Sequence, residues 1–498
     1  MFRHDLKPRK TPLTIEHLES RQMLDGHGFL EMTAAEVEEK IADYKSYFDT
    51  TINREHNRYL TMAETSGRNG WNLYNLQLPM DGVLSMYEAT GDVEVLDRAI
   101  EYTTLVMESA HVIENGHYER DGFLDWEAIS GGRPQSKRWG NMLYDFQYGS
   151  MMSRLARIIH EDPTLAEHED VQEFGDRLTH FVDEQIVFKW LDARGQRDWL
   201  ESFFDRGYWS DKATHITTLC NNMTQIMGAA SSCDGAHLTL GEQFKNLLVV
   251  QDDGVYLWGQ YDPFVGGYFN LAPDTNHENR VATMISQLGA DNVVFDETDI
   301  EHLGKTFTER IWNRRTDWED GASVQESPWF HNYIDGSDEQ YRNYIYTEGS
   351  EGMNGFIFDG WVRLGEFVPE VQEAGDALLS FVRKTPWNEN AIRLRNGSAF
   401  GKIALSGHLA KNLRVWHENA SNSESESNER SSAARTALLP GDANRDGEVT
   451  FADFLALAQN FGNKQDQVWA SGDFTGDGRV DMTDFLLLAA NFTEAANG

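Results

Sequence analysis

Cysteine and positive charge are scarce in this sequence, and no stretch is apolar enough to span a bilayer. The 498 residues include two cysteines, Cys220 and Cys233, with no CxxC and no Cys/His zinc spacing. That excludes a disulfide framework and a structural zinc site, and leaves open whether the two cysteines pair. Lys and Arg number 43 against 81 Asp and Glu, a formal net charge of −38. Such a chain repels phosphates, which excludes nucleic acid and anionic membranes as partners. A polyanionic substrate would need a local basic cleft. No run approaches the roughly 20 apolar residues of a membrane span. The N-terminus is basic at Arg3, Lys7, Arg9 and Lys10, but no apolar segment follows, so no standard secretory signal is visible.

What is present is a folded composition. Hydrophobic residues make up 40% and aromatics 12%, with 14 Trp, which is not the signature of disorder. Four regions follow from the pattern. Residues 1–28 read as a targeting-like tail, 30–415 as a large domain, 417–440 as a Ser/Asn/Glu-rich solvated linker, and 441–492 as a small C-terminal module. The tail contains Leu18-Glu19-Ser20-Arg21, which resembles the LEPR-type segment of bacterial surface and secreted proteins, with Ser20 where Pro often stands.

The C-terminal module repeats one pattern twice, 31 residues apart. The first copy offers Asp442, Asn444, Asp446, Glu448 and Asp453. The second offers Asp473, Thr475, Asp477, Arg479 and Asp484. Calcium takes six to eight oxygens, supplied here by side chains at loop positions 1, 3, 5 and 12 and by the backbone carbonyl at position 7. Gly447 and Gly478 stand at position 6, where the loop turns sharply. Asp at position 12, with one apolar helix after each loop, resembles the type I dockerin repeat, an EF-hand-like fold. The resemblance implies bound calcium and a cohesin-like or cell-surface partner. The pair before position 12 is often Ser-Thr in that family. Here it is Phe451-Ala452 and Met482-Thr483, which weakens the inference to a cohesin.

The large domain is helical and repetitive. Leu84 to Thr90 ends at Gly91 and leads into a second amphipathic helix. The layout recurs from Met151, Met223, Met284 and Phe358, at spacings of 67, 72, 61 and 74 residues. A further helix spans about 34–60, and residues 384–416 could be strands or one more helix. Five or six such hairpins suggest a ring. The long segments between them are rich in Trp, Tyr, His and Gly, and loops of that length are usually functional.

A ring of helical hairpins with aromatic loops resembles the (α/α) toroid carbohydrate enzymes, which include polysaccharide lyases, glucuronyl hydrolases and other glycoside hydrolases. The sharpest local candidate is Asp274-Thr275-Asn276-His277-Glu278-Asn279-Arg280. Thr275 and Glu278 fit a capping box, and Asn276 and Arg280 share a helix face. Adjacent Asn-His at a helix start resembles the alginate-lyase type of toroid. In those enzymes Asn, His and Arg neutralise a uronate carboxylate and a Tyr moves the C5 proton. The resemblance therefore assigns Asn276, His277, Arg280 and a tyrosine, of which Tyr344 is preferred because Arg342 and Asn343 adjoin it. His215, four residues after Asp211 near a helix start, is a further site candidate. Trp71, Asn72, Trp139, Asn141, Tyr144, Gln147 and Tyr268 suit sugar stacking and hydrogen bonding.

The first expectation is thus an extracellular or cell-surface lyase on a uronic-acid-containing polysaccharide. A hydrolase would instead need two carboxylates, drawn from Glu127, Asp145, Asp211, Asp274 and Glu348. A C5-epimerase, or a non-catalytic glycan-binding protein, would share the same ring.

Overall fold

The computed structural model describes residues 29, 32–113, 121–127, 129–130, 133–134, 139–202, 210–259, 261–262, 267–268, 272–312, 318–319, 324–325, 330–337, 356–384, 398–436, 440–444, 448–464 and 467–492. They fall into two compact units, Met1–His417 and Glu418–Gly498.

The first unit opens with α1 (Ala34–Glu64), fixed at its start by a capping box between Thr33 and Glu36. Its buried residues Val37, Ile41, Tyr44, Phe48 and Ile52 recur every three to four positions, so one stripe meets the core. Next comes α2 (Trp71–Thr90), buried on nearly every side from Leu73 to Ala89. Gly91 closes it in the left-handed conformation, φ 63°, which costs glycine no Cβ clash. Asp92 then caps α3 (Val93–Ser109) by accepting from the Glu94 amide. This alternation of a one-sided outer helix and an all-round buried inner helix repeats around the unit.

The inner elements are α2, α4 (Trp139–Glu161), α6 (Ser210–Met227), α8 (Asn279–Ala290), a 3-10 segment (Trp361–Glu366) and α11 (Ala399–Thr436). The outer ones are α1, α3, α5 (Glu169–Val182), α7 (Ala236–Lys245), α9 (Glu297–Thr306) and α10 (Pro369–Lys384). Each inner element packs on the next. The ring closes where α2 meets α11. A Cβ on Gly82 would sit 2.6 Å from the Ile403 carbonyl oxygen, and one on Gly407 2.1 Å from that of Gly82. Only glycines allow two helix backbones this close. The unit is therefore an (α/α) toroid of six pairs. The segment 384–416, ambiguous in sequence, supplies the last inner helix, and its helical backbone runs on to Thr436 into the expected linker.

The inner seam is polar. Asp81 and Glu88 on α2 both accept from Arg154 on α4. Asp81 also faces Arg363 at 3.3 Å and His408 at 3.2 Å. Burial alone would raise the Asp81 carboxyl, but Arg363, Arg154 and His408 hold it well below the usual carboxylate range. The fifth inner element is 3-10 rather than the α-helix expected from Phe358 onward. Asn279 fixes it by accepting from the Gly360 and Trp361 amides at 2.8 and 3.1 Å.

Links from inner to outer helices are short, and links from outer to inner ones are long except between α1 and α2. Five two-stranded hairpins, β1–β2 (His111–Val112, Leu124–Asp125), β3–β4 (Ile129–Ser130, Arg133–Pro134), β5–β6 (Val249–Val250, Tyr256–Leu257), β7–β8 (Tyr261–Asp262, Gly267–Tyr268) and β9–β10 (Trp318–Glu319, Val324–Gln325), all lie in long links. One end of the toroid is thus built up, at the N-termini of the inner helices. Cys220 on α6 and Cys233 before α7 form a disulfide.

In the second unit, α12 (Phe451–Asn460) and α13 (Met482–Asn491) each follow a loop and carry a capping box. Their shared core holds Val449, Leu457, Val480 and Leu488. Gly441 would meet the Leu488 Cα at 2.8 Å, and Gly472 the Leu457 Cα at 2.7 Å. Each repeat therefore seats a left-handed glycine on the other repeat's helix.

Candidate functional site

Three of the residues singled out in sequence, Arg280, Trp71 and Tyr144, are linked through Tyr74 where α8 begins. Arg280, in the first turn of α8, donates to the Tyr74 hydroxyl at 3.0 Å, with its guanidinium 5.4 Å from that ring's centre. Tyr74 stacks on Trp71 at 4.5 Å with the rings 4° from parallel. Trp71 in turn meets the edge of Tyr144 at 6.3 Å. Trp71 is 39% exposed, so the stack ends in an open aromatic face, of the kind that receives a sugar ring. Asn72 belongs to the wall instead, donating to the Met62 carbonyl and the Thr65 hydroxyl.

Just before α8, Asp274 accepts from the His277 backbone amide at 3.0 Å and contacts His277 Nδ1 at 2.6 Å. Burial works to raise the Asp274 carboxyl, but His277 and Arg280 outweigh it and keep it below its ordinary value. The capping box expected of Thr275 and Glu278 does not form. The Thr275 hydroxyl donates to the His331 carbonyl, and Glu278 accepts from the Trp258 indole. Asp274 takes over the local turn, its carboxylate accepting from the amide three residues on. Asn276 and Arg280 accordingly do not share a helical face, because α8 starts only at Asn279. Asn276 Oδ1 accepts from the Phe356 amide at 2.6 Å.

His215 on α6 is buried, and its Nε2 has no hydrogen-bond partner. Burial and the charge of Arg280 push it well below the usual histidine range, so it is neutral at pH 7.

The group missed in sequence is Asp359. It lies in the link to the fifth inner element and accepts from Gln77 Nε2 at 3.0 Å. Gln77 in turn accepts from Gln147 at 3.0 Å. Burial above all, with the charge of Asp81, pushes Asp359 up to about 7, against the pull of Arg280, Gln77 and Arg363. Arg280 thus pulls both Asp274 and Asp359 down, and burial lifts Asp359 in spite of it while Asp274 stays below its ordinary value. The Tyr74 contact spans 206 residues and the Asp359 contact 282. No local pattern marks either residue.

Other candidates sort differently. Asp145 is buried against Lys189 at 2.7 Å and the Trp190 indole at 2.6 Å. It belongs to a structural ion cluster with Asp125 and Arg194. Glu127 faces His111 at 3.6 Å. Tyr344 and Glu348 lie outside the described residues, as do the side chains of Trp139, Asn141, Asp211 and Tyr268.

In the second unit, Asp484 is fully buried and its two oxygens accept from the Phe474, Thr475 and Asp481 amides, each at 2.9 Å. Asp473 accepts from the Gly476 and Gly478 amides at 2.8 Å, and Asp477 from that of Arg479. Asp453 plays the Asp484 role in the first loop, toward Ala443, Asn444 and Thr450. Asp442 is buried beside it, while Glu448 is exposed. Asp446 lies outside the described residues. Among the described residues no group of three or more His, Cys, Asp or Glu is gathered for a metal. The donor set of hard oxygens nonetheless fits calcium, with left-handed glycines at Gly476 and Gly478 shaping the second loop.

Comparison with known proteins gives two findings. Residues 440–493 match the dockerin type I domain. Dockerin domains are calcium-binding modules that bind cohesins, and this segment of the C-terminal unit is similar to them. Among solved structures, the chain is similar to an inactive variant of an alpha-1,6-mannanase from Salegentibacter sp. HEL1_6, in complex with alpha-1,6-mannotetrose. Identity is 11%, coverage 75% of this chain and 98% of that one, and the TM-score 0.40. No curated protein matches the chain. Among the described residues no helix is long and apolar enough to cross a membrane.

Proposed function

We propose that the toroid is a glycoside hydrolase acting on a neutral polysaccharide outside the cytoplasm. One observation carries this reading: two buried carboxyls shifted in opposite directions, Asp359 up and Asp274 down, under the influence of one arginine beside an open aromatic face. Environments that drive two carboxyls apart assign an acid and its ionised partner. Asp359 is the general acid, giving its proton to the leaving glycosidic oxygen. Asp274, oriented by His277, is the carboxylate that activates water or attacks the sugar. Trp71 supplies the stacking face, and Arg280 sets the charge balance between the two acids.

The elimination reading is weaker because its positive charge is already committed. Asn276 Oδ1 is occupied by the Phe356 amide, His277 pairs with Asp274, and His215 is held neutral. Arg280 alone would then face a uronate, next to two carboxyls and in a chain of net charge −38.

The test is a substrate panel. Incubation with neutral glycans, alpha-1,6-mannan among them, is expected to release reducing ends without a gain in ultraviolet absorbance. Uronate polymers that instead yield an unsaturated, absorbing product would restore the lyase. The anomer of the first product distinguishes a retaining from an inverting arrangement of the two carboxyls.

A further inference from the structure

The toroid has a second polar chamber, at the end opposite Trp71 and Arg280. It is a cavity of ≈ 170 Å³ between the inner elements. All six contribute: Glu88 from α2, Arg154 from α4, Asn222 from α6, Gln287 from α8, Arg363 from the 3-10 segment and Lys411 from α11. A space lined by every inner element lies on the axis of the ring. Close-packed interiors hold few voids larger than a water. This one has room for roughly five waters at about 30 Å³ each, the bulk of one monosaccharide ring.

From this cavity we infer a binding site for a small neutral polyhydroxylated molecule, a monosaccharide or polyol. Each charged group of the lining is paired, all within the lining except Arg363, which faces Asp81 at 3.3 Å. Arg154 pairs with Glu88, Arg157 with Asp291 and Glu161, and Lys411 with Glu366 at 2.9 Å. A charged ligand would have to break one of these pairs in a low-dielectric setting, whereas a neutral one need not. The pairs still have hydrogen-bonding capacity to spare. Arg157 uses three of its N–H groups on Asp291 and Glu161, out of the five a guanidinium carries. Ser286, 5% exposed, lines the cavity, and its hydroxyl oxygen, itself closed off from solvent, has no hydrogen-bond partner among the described residues. The rim admits solvent, since the Glu161 side chain is 53% exposed. The lining has no aromatic ring, so recognition rests on hydrogen bonds, unlike at the Trp71 end.

Titration calorimetry on the full chain tests this with D-mannose, D-glucose, D-xylose, myo-inositol and glycerol, and with D-glucuronate and inorganic phosphate as charged controls. The expected result is saturable binding of at least one neutral probe that survives Trp71→Ala and Asp359→Asn. Ser286→Leu, which fills the cavity, is expected to weaken it at least tenfold. Gln287→Ala, a milder change, guards against misfolding of the first variant and is expected to weaken it severalfold. The inference is overturned if no neutral probe saturates, if the charged controls bind as tightly, if Trp71→Ala removes the binding, or if neither cavity variant weakens it. Its outcome is independent of whether the opposite end hydrolyses glycans.

Discussion

At the scale of single residues, the decisive pair is Asp359 and Asp274. Asp359→Asn removes the proposed acid and is expected to lower kcat by roughly 10²–10⁴, measured by reducing-end release on the best substrate of the panel. The wild-type rate should fall as pH rises through about 7, where Asp359 loses its proton. Stability carries the same signature. The folded carboxyl sits above the ordinary aspartate value, so the native state holds a proton that the unfolded chain has lost. Stability from this group is therefore full below about pH 4 and declines towards pH 7. Above pH 7 Asp359→Asn should melt higher than wild type, and a lower melting temperature there would contradict the buried-acid assignment. Trp71→Ala removes a stacking face worth about 0.5–1.5 kcal/mol. A roughly three- to tenfold rise in KM with little change in kcat is the expected kinetic result.

At the scale of elements, the disulfide is the simplest lever. It joins α6 to the turn before α7 across 13 residues, a loop size for which a cross-link contributes about 3 kcal/mol. Cys220→Ser should lower the melting temperature of the toroid, and reductant should do the same to wild type but not to the variant. The helices themselves were legible in sequence, because apolar spacing and Gly stops such as Gly91 act over a few residues. The calcium loops were legible for the same reason, since Asp473 to Asp484 is one contiguous segment. The capping box at Thr275 was misread because distant backbone, the His331 carbonyl, competes for the hydroxyl. Tyr74 and Asp359 could not be read at all, since closing the ring is what brings α2 to Arg280 and to the fifth inner element.

At the scale of the whole molecule, the chain comprises two compact units with separate cores, and only the second carries loops of the calcium-binding pattern. Calorimetry with and without a chelator should show one calcium-sensitive transition and one that does not move. At free calcium a hundredfold above Kd the module gains about 2.7 kcal/mol. Asp484→Ala should abolish that gain while leaving hydrolysis by the toroid unchanged. A shift of both transitions would mean that the metal acts beyond its loops.

The crossed seating of Gly441 on Leu488 and of Gly472 on Leu457 has a further effect. Neither half of the module is a foldable part by itself, because each lacks the surface on which its own glycine rests. Truncation after Gly462 should leave an unstructured remnant rather than a half-strength binder. Duplication here did not produce a spare copy. Drift in one repeat is constrained by the other, and the two must change together.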